Sequence, residues 1–203
     1  YVALGLRGYY SCCHFDTLRQ FHSILQGHPC MDKTPGLDMT SGSLGNGLSI
    51  GVGMALGAKL DGLDYRVFVM VGDGELQEGM IWEALMAGAK YQLDNLYLFI
   101  DYNHLQVDGT VEQIMDIAPL RSKLESFNWQ VLEMDGHNMK EIVETIEDAT
   151  CPHQGPVAII AHTVKGKGVS YMENKVEWHG LAPDDEQLAQ ALKELGEEGG
   201  NNG

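Results

Sequence analysis

The sequence predicts an α/β fold, a parallel sheet with helices on both faces. Two observations carry this. Short apolar runs without polar alternation recur along the chain, RVFVMV at 66–71 and LYLFI at 96–100 among them, and such runs read as strands buried on both sides. Segments with helical spacing of apolar residues lie between them, and strands alternating with helices specify crossover connections and hence parallel pairing. The length, 203 residues with 44% hydrophobic, suffices for one well-packed domain and is short for two.

The elements follow in chain order. The chain starts at Tyr1, and its first ten residues read as the middle of a helix, so a preceding segment is expected. Residues 18–25 are expected to form a short amphipathic helix. Residues 27–47, with Pro29, Pro35 and several glycines, read as a long loop, and long loops inside compact domains are often functional. Residues 48–60 are rich in Ala, Gly and Met and suit a buried helix packed closely on a sheet. Residues 66–71 form the first strand. Leu76, Met80, Ile81, Ala84 and Leu85 then give helical spacing across 76–91. Strands follow at 96–100, 129–134 and 157–161, with a helix at 141–149 between the last two. A final surface helix covers 184–195. The domain is expected to span 1–195, and the tail at 196–203 (GEEGGNNG) is too rich in Gly and Asn to order.

Composition excludes several classes. Thirteen Lys and Arg stand against 29 Asp and Glu, a formal charge of −16. That balance repels nucleic-acid phosphates and anionic membranes, so neither is an expected partner. No apolar run approaches the roughly 20 residues of a membrane-spanning helix. Cys12, Cys13, Cys30 and Cys151 form no CxxC pair. With no visible signal peptide, a reduced cytoplasmic setting is expected.

Ligands of such sheets bind beyond the carboxyl ends of the strands. The first strand runs into Gly72-Asp73-Gly74 and the second into Asp101-Tyr102-Asn103. Asp73 and Asn103 are 30 residues apart, about one helix plus one strand, which places both at one sheet edge. Carboxylate and amide oxygens there suit a hard cation such as Mg²⁺, whose octahedron is completed by water and phosphate oxygens. The glycines beside Asp73 admit close backbone approach, and a helix starting near Glu75 would aim free N–H groups at a diphosphate. The same residues equally suit a Gly-Asp-Gly turn with a capping Asp. A GxGxxG fingerprint is absent after the first strand, against a dinucleotide-binding dehydrogenase.

Gly72-Asp73-Gly74 followed by Asn103 is similar to the thiamine-diphosphate signature. The segments SGSLGNGLSIGVGMALGAKLDG, GDGELQEGMIWEAL, DYNHLQVDG, AHTVKGKGVS and WHGLAP, in that order, resemble transketolase across nearly all of the chain. The resemblance implies the thiamine-diphosphate-binding fold and a role for each matching residue. Asp73 and Asn103 would bind Mg²⁺ by side chain and Leu105 by its carbonyl oxygen. Gly74 would give its N–H to the diphosphate. Gly42, Ser43 and Leu44 would line the cofactor's ring region, Leu44 being alternatively plain core. Lys165 and His179 would lie near diphosphate and substrate. His28, in Gly27-His28-Pro29, would contact the donor sugar, and Glu78 would join a carboxylate network at a subunit contact or else be an exposed helix residue. Lys167 is left unassigned, and the other histidines read as structural or exposed.

Two features depart from the family pattern. Its early histidines precede the point at which this sequence begins. Leu181 follows His179-Gly180 where some members carry a basic residue, so a substrate phosphate finds no cation at that position.

The implied activity is thiamine-diphosphate- and Mg²⁺-dependent transfer of a two-carbon ketol unit from a ketose phosphate to an aldose phosphate, as in pentose phosphate metabolism. The family's activating glutamate belongs to a pyrimidine-binding domain, and nothing like that domain follows Leu195. The expectation is therefore a hetero-oligomer with a C-terminal subunit carrying the pyrimidine-binding and C-terminal domains. Alternatives are a deoxyxylulose-phosphate-synthase-like or specialised pentose enzyme of the same type, or a non-catalytic subunit. The segment GELQEG with Trp178-His179-Gly180 favours transketolase.

Overall fold

A computed structural model describes residues 1–196, and these fall into two compact units, 1–46 and 47 onward. The expected tail lies outside the described residues except for Gly196.

The first unit holds little regular structure. Helix α1 (Val2–Leu6) is followed by a 3-10 turn at Cys12–Thr17. The Tyr1 hydroxyl donates to the Gln26 carbonyl and the Tyr10 hydroxyl to that of Tyr1, so phenols rather than secondary structure tie the segment together. Ser23, Leu25 and Thr34 form its buried centre. The helix expected at 18–25 is absent. Leu18, Phe21 and Leu25 have helical spacing, but Arg19 and His22 adopt φ of 63° and 66°, outside helical space. Arg19 N–H instead donates to the Leu25 carbonyl across a turn, and Phe21 is 90% exposed. Residues 27–45 form the expected loop.

The second unit is the sheet domain. Helix α2 (Asn46–Asp61) precedes β1 (Val67–Gly72), α3 (Gly79–Lys90) and β2 (Leu96–Tyr102). A small antiparallel pair, β3 (Leu105–Gln106) and β4 (Gly109–Thr110), leads into α4 (Val111–Met115) and α5 (Leu120–Ser126). Then come β5 (Gln130–Asp135), α6 (Met139–Ala149), β6 (Val157–His162) and α7 (Asp185–Glu194). The main sheet has the order β1-β2-β6-β5 and every pairing is parallel.

Side-chain alternation assigns its faces. Leu96, Leu98 and Ile100 of β2 and Ala158 and Ile160 of β6 pack with residues of α2, α3 and α5 in one core cluster. Tyr97, Val157, Ile159 and Ala161 pack with Ala149 of α6 on the other face. Helices therefore cover both faces, as the apolar runs predict. Gly51 admits α2 onto the sheet, because a Cβ there would collide with Val69. One expected helix is broken. Gly74–Gln77 is a 3-10 turn, and α3 begins only at Gly79 after Glu78 in an extended conformation. The Trp82 indole N–H takes the Leu76 carbonyl, which removes the acceptor a continuous helix would use. Among the described residues no helix is long and apolar enough to cross a membrane.

Candidate functional site

The second unit gathers its candidates at the carboxyl ends of β1 and β2. The two strands run in register, with Gly72 opposite Asp101, so the chains leaving them carry Asp73 and Asn103 past the same edge. Asp73 N–H still donates to the Asp101 carbonyl, one step beyond the ladder. Asp73 is 1% exposed and Asn103 7%. Asp73 Oδ1 accepts from Gly74 N–H at 2.8 Å and Oδ2 from His104 N–H at 2.5 Å. The capping role left open by the sequence is thus real. It also holds the carboxylate in place while each oxygen keeps a lone pair for another ligand.

Asn103 is oriented from both ends. Its Nδ2 donates to Asp101 Oδ2 at 3.0 Å, and its Oδ1 accepts from Leu105 N–H at 3.0 Å. Asp101 is held in turn by the Thr163 hydroxyl, which reaches across from the end of β6. Sequence reasoning gives Asp101 no role of its own. The signal available is its place two residues before Asn103 in the same motif.

Burial pushes the Asp73 carboxyl above its ordinary pKa, and the Asp101 charge adds to this, against the two N–H bonds that hold the anion. Among the described residues neither Asp73 nor Asp101 has an ion-pair partner. No group of three or more His, Cys, Asp or Glu is arranged for a metal among them either. A structural zinc-type cage is therefore not built here. One buried carboxylate, one amide oxygen and nearby carbonyls fit a hard cation that brings its own phosphate and water oxygens.

The helix expected near Glu75 to face this spot is replaced by the 3-10 turn at Gly74–Gln77, and the Gly74 N–H is given to Asp73. Leu105 is buried on β3. A further 3-10 turn, Val176–His179, lies against β3 and carries His179, which is exposed. Lys165 is half-buried in the segment after β6. Glu78 is exposed at the start of α3, and its side chain makes no capping bond.

The first unit holds the other candidates. Gly42 has φ of 138°, and a Cβ there would stand 2.5 Å from His28 Nδ1. The missing side chain at 42 is what gives the His28 imidazole its place. Leu44 is 62% exposed, so it is no core residue, and Gly42, Ser43 and His28 are exposed with it.

The chain matches the family model described as transketolase, thiamine diphosphate binding domain, over residues 1–201. It is 46% identical over 197 residues to one of the subunits of apulose-4-phosphate transketolase from Phocaeicola vulgatus, covering 97% of this chain and 70% of that one. It is 42% identical over 199 residues to one of the subunits of 6-deoxy-6-sulfo-D-fructose transketolase from a Clostridium strain, covering 98% and 72%. Human transketolase is 38% identical over 141 residues, covering 68% of this chain and 22% of its own. Among solved structures, transketolase from Leishmania mexicana superposes with a TM-score of 0.88 at 27% identity, covering 95% of this chain and 30% of that one. Transketolase from Campylobacter jejuni gives 0.85 at 29% identity, covering 90% and 30%. The chain therefore belongs to the transketolase thiamine diphosphate binding domain family.

Proposed function

We propose that this chain is the diphosphate-binding subunit of a split transketolase, with residues 1–195 forming its functional module. The observation that carries the reading is the buried carboxylate of Asp73, held by two backbone N–H groups and without an ion-pair partner among the described residues, beside an amide group held in place by Asp101. Asp73, Asn103 and the Leu105 carbonyl would hold Mg²⁺, and the cation would remove the electrostatic cost that now lifts the Asp73 pKa. Gly74 N–H would turn from Asp73 toward a phosphate oxygen, and Lys165 would add positive charge there. Gly42, Ser43 and Leu44 would line the ring region.

Bound thiamine diphosphate would supply the electron sink for breaking and forming the carbon–carbon bond. The side chains of this subunit would handle charge and protons. His179 and His28 suit proton transfer at sugar oxygens, because an imidazole ring can both give and accept a proton. Glu78, exposed at the start of α3, would meet a carboxylate or donor on the partner.

The reaction would pass a two-carbon ketol unit between sugar phosphates in the cytoplasm. The names of two relatives that match nearly all of this chain, one for apulose-4-phosphate and one for a sulfonated fructose, favour a specialised ketose as donor over the pentose phosphate pair. The partner would carry the pyrimidine-binding and C-terminal domains. The test is calorimetric titration of thiamine diphosphate, with and without Mg²⁺, into the chain co-purified with that partner, followed by a ketol-transfer assay on a ketose panel. Metal-dependent binding with transfer is expected. Binding unaffected by Mg²⁺ would count against the site.

A further inference from the structure

The segment between β6 and α7 carries both Lys165 and His179, yet it contains no strand and only one 3-10 turn among the described residues. Something else must fix its course. Its start is pinned to the sheet, where the Thr163 hydroxyl donates to Asp101 and the Val164 N–H to His137 Nε2 at 2.7 Å. It then turns tightly at Gly166, whose φ is 72° and where a Cβ would stand 2.6 Å from the Met172 backbone. The Lys165 carbonyl accepts from Asn174 N–H at 3.0 Å, which closes the turn.

The far side of the turn is held by α7. Ser170 gives both of its donors to one carboxylate, with N–H to Glu194 Oε2 at 2.6 Å and hydroxyl to Glu194 Oε1 at 2.7 Å. Gln190, one helical turn earlier, donates to the same Oε1 at 2.7 Å. The Tyr171 hydroxyl donates to the Gln187 carbonyl at 2.6 Å, and its ring packs on Trp178, the neighbour of His179. The helix itself is fixed at its start by a capping box between Asp184 and Gln187. A bidentate, charge-assisted contact defines both position and orientation of the segment it grips. The face of α7 is thereby read out at Lys165 through the closed turn and at His179 through Tyr171 and Trp178.

We propose that Glu194 is a positioning residue. Its carboxylate, with Tyr171, clasps the 163–180 segment to α7 and so presents Lys165 and His179 to the cofactor and sugar. The proposal rests on the reading of Lys165 and His179 given above, and it assigns a role to a helix that reads in the sequence as mere surface.

The test uses Glu194→Gln, Glu194→Ala, Ser170→Ala and Ser170→Thr in the chain with its partner. Glutamine keeps the shape but has one acceptor oxygen where two are used. Amide hydrogen exchange across 164–180 should accelerate in both Glu194 variants while the global unfolding midpoint stays put. The affinity for thiamine diphosphate with Mg²⁺ should weaken about three- to tenfold, the scale of a charge-assisted contact discounted for exposure. Turnover should fall further than KM rises, and Ser170→Thr should restore what Ser170→Ala loses. Unchanged exchange across 164–180 would overturn the clasp. Faster exchange with unaltered affinity and turnover would overturn its role in presentation. Asp73→Ala, run alongside, separates the failures. If it too leaves affinity intact, the cofactor site is wrong, whereas a loss there with none in the Glu194 variants isolates the fault to the clasp.

Discussion

Asp73 illustrates how a single side chain can be held against its own preference. A carboxylate 1% exposed is costly unless its charge is answered, and here two backbone N–H groups answer it only in part, since its pKa still lies above the ordinary value. The residual cost is what a divalent cation would remove. Asp73→Ala should therefore abolish Mg²⁺-dependent binding of thiamine diphosphate while the chain still folds, because the substitution also removes a buried charge. Calorimetry with and without Mg²⁺ checks the first part and circular dichroism the second. Unchanged affinity would take Asp73 out of the site. His179 gives a second residue-scale prediction. Its 3-10 turn rests on β3, beside the Asp73–Asn103 edge, and an imidazole there can move protons. His179→Ala should lower turnover by roughly 10²–10⁴-fold at saturating cofactor. Steady-state kinetics decide it, and unaltered turnover would leave His179 a structural residue. Asp73 and Asn103 were legible from the sequence because both follow buried strands, and strand ends are fixed by local pattern. The partners that orient them were not, because Thr163 stands 62 residues from the Asp101 it bonds.

At the scale of elements, legibility depended on whether the fold agreed with the local signal. The runs at 96–102 and 157–162 are strands because they are apolar on both sides of the pleat and find helices on both, whereas the run at 67–72 buries one face and leaves Phe68 and Met70 exposed on the other. Residues 18–25 show the opposite case, where helical spacing exists without a surface to bury it against, and Phe21 stays in solvent. The break at Glu78 was equally hidden, since the Trp82 indole that takes the Leu76 carbonyl reports a tertiary choice. Charge joins elements as well. Glu133 on β5 accepts from Arg121 Nε of α5 at 2.5 Å and lies 2.7 Å from His162 Nε2 at the end of β6. The bond with His162, and then that from Arg121, hold its carboxyl below the usual range. A depressed carboxylate pKa contributes stability that is present above the unfolded value and is lost as pH falls through the folded one. Glu133→Gln should thus destabilise the chain near neutral pH by about 0.5–1 kcal/mol, a partly exposed network discounted for screening. The difference from the parent should close in acid. Denaturant midpoints of both proteins at neutral and acidic pH measure it, and a gap that persists in acid would remove the ionic explanation.

For the whole molecule, the question is what surrounds the chemistry. Ketol transfer needs the reacting carbon shielded, because water competes for protons and weakens every electrostatic contact in the site. Several candidate residues of this chain lie open instead. His28, Ser43, Glu78 and His179 are exposed, and Leu44 presents 62% of its surface. An exposed leucine beside polar candidates is the kind of side chain that a covering surface buries. Two relatives, of which this chain spans 70% and 72%, carry the word subunit in their names, which supplies the reason to look for that cover on another chain. The chain by itself should therefore show no measurable ketol transfer, and activity should appear with a co-expressed partner that carries a pyrimidine-binding domain. Obligate interfaces of this kind bury roughly 2,000–5,000 Å² in total, so the pair should co-purify and sediment as one species. The assay compares the purified chain with the co-purified complex at equal site concentration, with thiamine diphosphate and Mg²⁺ in excess. Full activity from the chain alone, sedimenting as a monomer, would overturn the split-enzyme reading, since the exposed residues would then have to shield the reaction without help.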